Sequence, residues 1–241
     1  MRSETRRSLK EDRFRNSTLV ATEAAVHWTV EHKSKLIFAG VALAVILAAA
    51  IGGWYYLQAQ DQKASFDLNK AVRTMSEQVR PEGVPPQPGF PSFGSNKERA
   101  TEARKQLQAI VDNYPHTKSA EAARYFLGVT SIDLGDNAAA ERALREVSSS
   151  GGTDMAALAK YALAGVYRDT NRTKEAIDIY KGLIDKPTAT VGKVAAQMAL
   201  AATYEQSQNT AEAKAVYQQI QKENPAGQAS GLAAQKLAEL K

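Results

Sequence analysis

The chain has no cysteine, only three histidines, and an aromatic share of 7%. Without cysteine there are no disulfides, thiolate metal sites, thiol nucleophiles or lipid-modified cysteines. That absence fits either side of a membrane and does not locate the protein. His27 and His32 stand five residues apart, share no helix face well and have no acidic partner, and His116 is remote, so no metal site is expected. No glycine-rich phosphate loop and no nucleophile paired with a base occurs in the sequence. Asp133, Asp169 and Asp178 read as solvated helix charges beside Lys and Arg. The expectation is a protein without catalytic residues, cofactor or small-molecule substrate. Excess charge is also scarce. Residues 1–35 hold eight Lys/Arg against five Asp/Glu, and the remainder holds 23 against 21. A nearly neutral body offers no basic face for nucleic acid.

One long uncharged run is present, Leu36 to Leu57, LIFAGVALAVILAAAIGGWYYL. At 1.5 Å per residue it reaches about 33 Å, enough to cross a hydrocarbon core of roughly 30 Å. Trp54, Tyr55 and Tyr56 end it, where amphipathic rings favour the interface, and Lys33 and Lys35 flank its start. A cleaved signal peptide is the competing reading, with Ala48-Ala49-Ala50 as a cleavage site, but 35 residues is long for the leading charged segment. Thr5-Arg6-Arg7-Ser8-Leu9-Lys10 resembles a twin-arginine signal, yet the apolar run starts some 25 residues too late. The expected layout is a cytoplasmic tail with a juxtamembrane helix (1–35), a transmembrane helix (36–57) and an exported domain (58–241). The basic residues before the span favour a cytoplasmic N-terminus.

Gln58 to Val79 reads as further helix, with Phe66, Leu68, Val72 and Met75 apolar, and nothing stops it from continuing the span. Arg80–Asn96 carries five prolines in 17 residues and reads as a loop (80–96) interrupting the first helical hairpin, with Phe90 and Phe93 as tolerated or partner-docking aromatics.

Beyond it a comb repeats. Ala103, Ala140, Ala176 and Ala213 are each followed four residues on by Leu107, Leu144, Tyr180 and Tyr217, and seven on by Ile110, Val147, Leu183 and Ile220. Twelve on stand Pro115, Gly152, Thr188 and Pro225, mostly helix breakers. Offsets of +4 and +7 make one helical stripe, and recurrence near 37 residues means stacked copies of one hairpin. The expected hairpins are 123–134 with 138–147, 156–168 with 174–184, and 194–205 with 211–221. Asn137, Thr173 and Thr210 are the expected N-caps. A last helix, 229–240, would cap the stack with Leu232, Leu237 and Leu240 inward.

The first helices of these hairpins carry Leu127-Gly128, Leu163-Ala164 and Leu200-Ala201 in phase, with Tyr167 and Tyr204 four residues after their leucines. With the comb alanines Ala140, Ala176 and Ala213 these form the repeat-packing set, small where backbones approach. The pattern resembles the tetratricopeptide repeat, which implies an all-α solenoid of about four hairpins behind the transmembrane helix. The layout of tail, span and repeat domain resembles the ancillary subunit of the bacterial Sec translocon, whose repeat domain is shared with a cell-division coordinator. That resemblance implies an inner-membrane protein with periplasmic repeats, partnered by the channel, periplasmic chaperones and exported clients. The alternative is a structural adaptor in envelope or division machinery holding one folded partner. The proline-rich insertion departs from the compact first hairpin of that family. In such a stack the first helices line a binding face, here Tyr125, Val129, Ile132, Tyr161, Arg168, Met198 and Glu205. The bland reading of the same residues is packing between neighbouring hairpins.

Overall fold

A computed structural model describes residues 32–81, 83–85 and 92–240. The expected juxtamembrane helix and Phe90 lie outside the described residues. The chain divides into two compact units, Met1–Tyr56 and Leu57–Lys241. Helix α1 runs Lys33–Ser76, unbroken because the stretch contains no proline and the pair Gly52-Gly53 is flanked on both sides by good helix formers. Every residue from Ile37 to Leu57 is exposed, and by length and composition the helix is long and apolar enough to cross a membrane.

The helix stops short of the expected Val79. Gln78–Val79 (β1) instead pairs in parallel with Ser92–Phe93 (β2), Gln78 opposite Ser92 and Val79 opposite Phe93. Arg80 fastens this clasp: its N–H donates to the Phe93 carbonyl at 2.8 Å and its Nη1 to the Ser92 carbonyl at 3.0 Å. Arg99 Nη1 donates to the Glu77 carbonyl at 2.9 Å. The two ends of the proline-rich segment are therefore held together, and Phe93 is a half-buried strand residue rather than a loop aromatic.

The second unit is a ladder of helices: α2 (Asn96–Asn113), α3 (Lys118–Asp133), α4 (Asn137–Ser150), α5 (Thr153–Asp169), α6 (Thr173–Asp185), α7 (Lys193–Gln206), α8 (Thr210–Glu223) and α9 (Gln228–Glu239). From α2 onward each packs on the next, with α3 also touching α5 and α7 touching α9. The comb is its core. The four alanines, the four large residues after them and the four aliphatics are all at most 4% exposed. Leu127, Leu163, Leu200, Ala164 and Ala201 are buried beside them. In the first hairpin the partner helix is the part of α1 beyond Leu57, where Ala64 and Ala71 join Leu107, Ile110, Ala120, Ala123 and Leu127 in one apolar cluster.

The turns inside the hairpins share one device. Gly135, Asn171 and Gln208, each five residues before a comb alanine, have positive φ of 74°, 61° and 61°. The next N–H reaches back across the turn in each case: Asp136 to Ser131, Arg172 to Tyr167 and Asn209 to Tyr204, at 2.8, 2.8 and 2.9 Å. This left-handed C-terminal turn satisfies carbonyls that the helix end leaves free. It also moves the caps. Asp136, Arg172 and Asn209 occupy the N-cap positions, one residue before the expected Asn137, Thr173 and Thr210, and of these only Asp136 caps with its side chain, accepting from Ala139 N at 3.0 Å. Left-handed backbone costs an L-residue roughly 1–2 kcal/mol, and glycine avoids it. Gln208→Gly is therefore expected to raise stability by about 1 kcal/mol, seen as a higher melting temperature, and Gly135→Ala to lower it comparably.

Two further expectations are corrected. Helix α4 runs three residues beyond the expected 147, and the hydroxyls of Ser148, Ser149 and Ser150 donate back to the carbonyls of Arg145 and Glu146. In α9 Leu232 is exposed, while Ser230 and Ala233 are buried and Leu237 and Leu240 pack on the Ala201, Tyr217 and Ile220 cluster. Positions 230, 233, 237 and 240 share one face at 3.6 residues per turn, and 232 falls about 100° off it.

Candidate protein-binding face

The seven residues expected on the binding face lie on α3, α5 and α7, and all are half-buried. Three belong to the edge of one core: Tyr125, Ile132 and Tyr161 pack against the cluster that holds Ala140, Leu163, Ala176 and Tyr180. Met198 packs instead on the cluster of Ala201, Tyr217, Ile220 and Ala233. Tyr161 meets Tyr180 edge-on, with ring centroids 5.6 Å apart, a favourable quadrupole arrangement. Burial pushes the Tyr180 phenol up to about 12, so it stays a neutral group in the floor of the face.

The two charges at the rim are already engaged. Arg168 Nε pairs with Asp169 Oδ1 at 2.9 Å, and the Arg168 carbonyl accepts from Gln206 Nε2 at 3.4 Å. Glu205 accepts the Tyr217 hydroxyl, and burial together with that carboxylate raises the Tyr217 phenol. The structure thus gives Tyr125, Ile132, Tyr161, Met198 and Glu205 partners in the core or on the next helix and leaves part of each open. The accessible parts of Tyr125, Val129, Ile132, Tyr161 and Met198 are mildly apolar and do not form a charged clamp.

A cluster that sequence reading missed ties the second hairpin to the third. Glu141 on α4 accepts both Arg172 nitrogens, Nη2 at 2.5 Å and Nη1 at 3.2 Å, the fork geometry of a guanidinium on a carboxylate. Arg145 also pairs with Glu141 and donates to the Tyr167 hydroxyl at 2.7 Å, while the Arg172 guanidinium sits 4.0 Å from the Tyr167 ring centroid. The Arg172 hydrogen bonds hold the Glu141 carboxyl below its ordinary range. The comb could not reveal it, since Ile177 and Lys214 replace Glu141 in the later repeats.

A second tie joins α7 to α8. Glu223 accepts from Lys193 Nζ at 2.9 Å, and from Gln197 Nε2 and Gln219 Nε2 at 3.0 Å each. Those three donors, Gln219 foremost, lower its carboxyl to about 2. At the position corresponding to Gln197, Arg124 pairs with Glu146 at 2.9 Å, whereas Lys160 stands at a cleft of 560 Å³ floored by Ala157, Leu163, Ile179 and Leu183. Among the described residues no three His, Asp or Glu side chains are grouped to hold a metal ion.

Paired helices with small residues at their crossings, a period near 37 and a left-handed turn in the second, third and fourth hairpins define the repeat. Residues 27–182 match the tetratricopeptide repeat-like domain, and residues 195–226 match the tetratricopeptide repeat. The chain belongs to the tetratricopeptide repeat-like domain family. Repeats of this kind indicate a protein–protein interaction scaffold. No curated protein matches the chain. Among solved structures, two crystal structures of the "Podosopora anserina putative kinesin light chain nearly identical TPR-like repeats", one of them of a point variant, superpose with a TM-score of 0.57 at 15% identity. They cover 75% of this chain and 85% and 86% of those chains. At that identity the likeness is one of fold.

Proposed function

We propose that this repeat protein is a membrane-anchored scaffold that works beside the Sec translocon, with periplasmic chaperones, on emerging exported chains. In this reading residues 1–35 are cytoplasmic, 36–57 cross a bacterial inner membrane, and 58–241 form the periplasmic repeat domain. The observation that carries it is α1, uncharged from Leu36 to Leu57, exposed from Ile37 onward, and closed by Trp54, Tyr55 and Tyr56. Burying so much apolar surface in lipid is strongly favourable, at roughly 25 cal/mol per Å². The same helix supplies Ala64 and Ala71 to the first hairpin, so the repeats begin directly after the anchor.

The strip of Tyr125, Val129, Ile132, Tyr161 and Met198 is then the client-facing surface, with Arg168 and Glu205 at its rim. A photoreactive benzophenone residue in place of Met198, in intact membranes, is expected to capture channel subunits and several different exported chains. The same residue in place of Lys214 should capture neither. One folded partner captured to the exclusion of all clients would replace this reading with that of a structural adaptor. Protease added outside spheroplasts is expected to cut the repeat domain, and full protection would reverse the topology.

A further inference from the structure

Apart from the apolar run, three large apolar side chains are exposed among the described residues: Phe66, Val84 and Leu232. Phe66 is the most open, at 74%. It lies in the part of α1 that belongs to the repeat unit, on the side away from the buried Ala64 and Ala71. At about 100° per residue, Gln62, Lys63, Asn69, Lys70 and Arg73 all fall within about 60° of Phe66. Each of them is exposed.

This strip holds three cations and no acid. Asp67 is about 100° round the helix from Phe66 and Asp61 about 140°. Asp61 is committed elsewhere, its Oδ1 accepting from the Ser119 N–H at the start of α3 at 2.9 Å. None of the charged groups of Lys63, Lys70 and Arg73 forms an ion pair among the described residues. Other cations of this unit, including Arg104, Arg124, Arg145, Arg172 and Lys193, do. Phe66 thus stands exposed among three cations that form no ion pair, with Asp67, at helical spacing from Lys63 and Lys70, as the nearest acid of the helix, so the packing of this face is not completed within the chain.

We infer that this strip of α1 is a docking surface for a protein partner that presents acidic side chains around an apolar notch for the Phe66 ring. A single aromatic anchor with a charged rim is how energetic centres of interfaces are built, and the rim cations select an acidic surface and speed encounter. Length separates a protein from anionic lipid. From Gln62 to Arg73 the strip extends about 16 Å along the helix, with Lys63 about 9 Å and Arg73 about 24 Å beyond Leu57. For a helix that leaves the bilayer without bending, a headgroup layer of about 5–8 Å on each side meets at most the first cation. This part of the argument rests on the anchoring reading above. The charge pattern by itself calls for an anionic partner, and length assigns that partner to a protein.

The test places a benzophenone residue at Asn69 in the full-length chain, in intact membranes, with adducts mapped by mass spectrometry. The expected adduct is a protein segment containing several Asp or Glu residues. Its yield should fall at least about tenfold with Phe66→Ser and, separately, with the double charge reversal Lys70→Glu and Arg73→Glu. All three sites are exposed, and unchanged thermal melts of the variants exclude misfolding as the cause. Adducts on lipid, adducts on a segment without acids, or yields indifferent to both variants overturn the proposal. Carbonate extraction of the same membranes tests anchoring independently, since a chain released by it fails as a membrane span whatever the adducts show.

Discussion

Gly128→Ala is expected to destabilise the repeat domain by about 1–3 kcal/mol, and larger residues there by more. A Cβ on Gly128 would stand 2.5 Å from Leu144 Cγ and 2.7 Å from its Cδ2. Leu144 has no room to retreat, being fully buried between α3 and the following hairpin. Helix propensity works the other way, since alanine in a helix interior is favoured over glycine by roughly 1 kcal/mol. The two effects separate cleanly in α6, where a Cβ on Gly182 meets nothing within 4 Å. Gly182→Ala should therefore stabilise while Gly128→Ala destabilises. Denaturant melts of a double-mutant cycle supply the decisive check. Leu144→Ala alone should cost about 2–5 kcal/mol through the cavity it leaves. In that background Gly128→Ala should cost markedly less than in the parent, because the clash partner is gone. Strict additivity of the two costs would show that the close approach is not what holds glycine here.

Tyr217→Ala is expected to remove about 3–5 kcal/mol, and to remove it locally. The side chain is 1% exposed, fills the contact between α7 and α8, and donates its hydroxyl to Glu205. A stack in which each helix touches mainly its neighbours is stabilised as a chain of nearest-neighbour terms, so damage at one end need not reach the other. Hydrogen exchange should show α7, α8 and α9 opening easily while α2, α3 and α4 keep their protection. Equal loss of protection in every helix would instead mean that the unit unfolds as one cooperative block. The same locality bears on function. A C-terminal hairpin that opens would remove Met198 and Glu205 from the candidate face while leaving Tyr125 and Tyr161 in place.

The sequence was most legible where structure is local and repeated. Helical periodicity places Ala176, Tyr180 and Leu183 on one stripe whatever their surroundings, and three copies in phase exclude coincidence. The same holds for the uncharged run of α1, whose length and composition alone make it able to cross a membrane. Helix ends were less legible. Asn171 and Gln208 adopt left-handed backbone although neither is glycine, because the next helix must return at a set angle, and packing of the whole hairpin outweighs the local cost. Thr173 looks like a better cap than Arg172, yet the turn places Arg172 at the boundary, and Asn209 takes the place expected of Thr210.

Side-chain partnerships far apart in sequence left no signal at all. The clasp of Gln78–Val79 with Ser92–Phe93 and the Glu141 carboxylate between Arg172 and Arg145 each depend on which elements end up adjacent. On the candidate face, sequence register chose Tyr125, Tyr161, Arg168, Met198 and Glu205. The tertiary structure decided that each is half covered and that both charges are already held by neighbours. Period and hydropathy are properties of a single helix, so the sequence by itself determined an α-helical repeat carrying an apolar helix. Contacts between helices belong to no single segment, and only the assembled stack decided which surfaces remain for a partner.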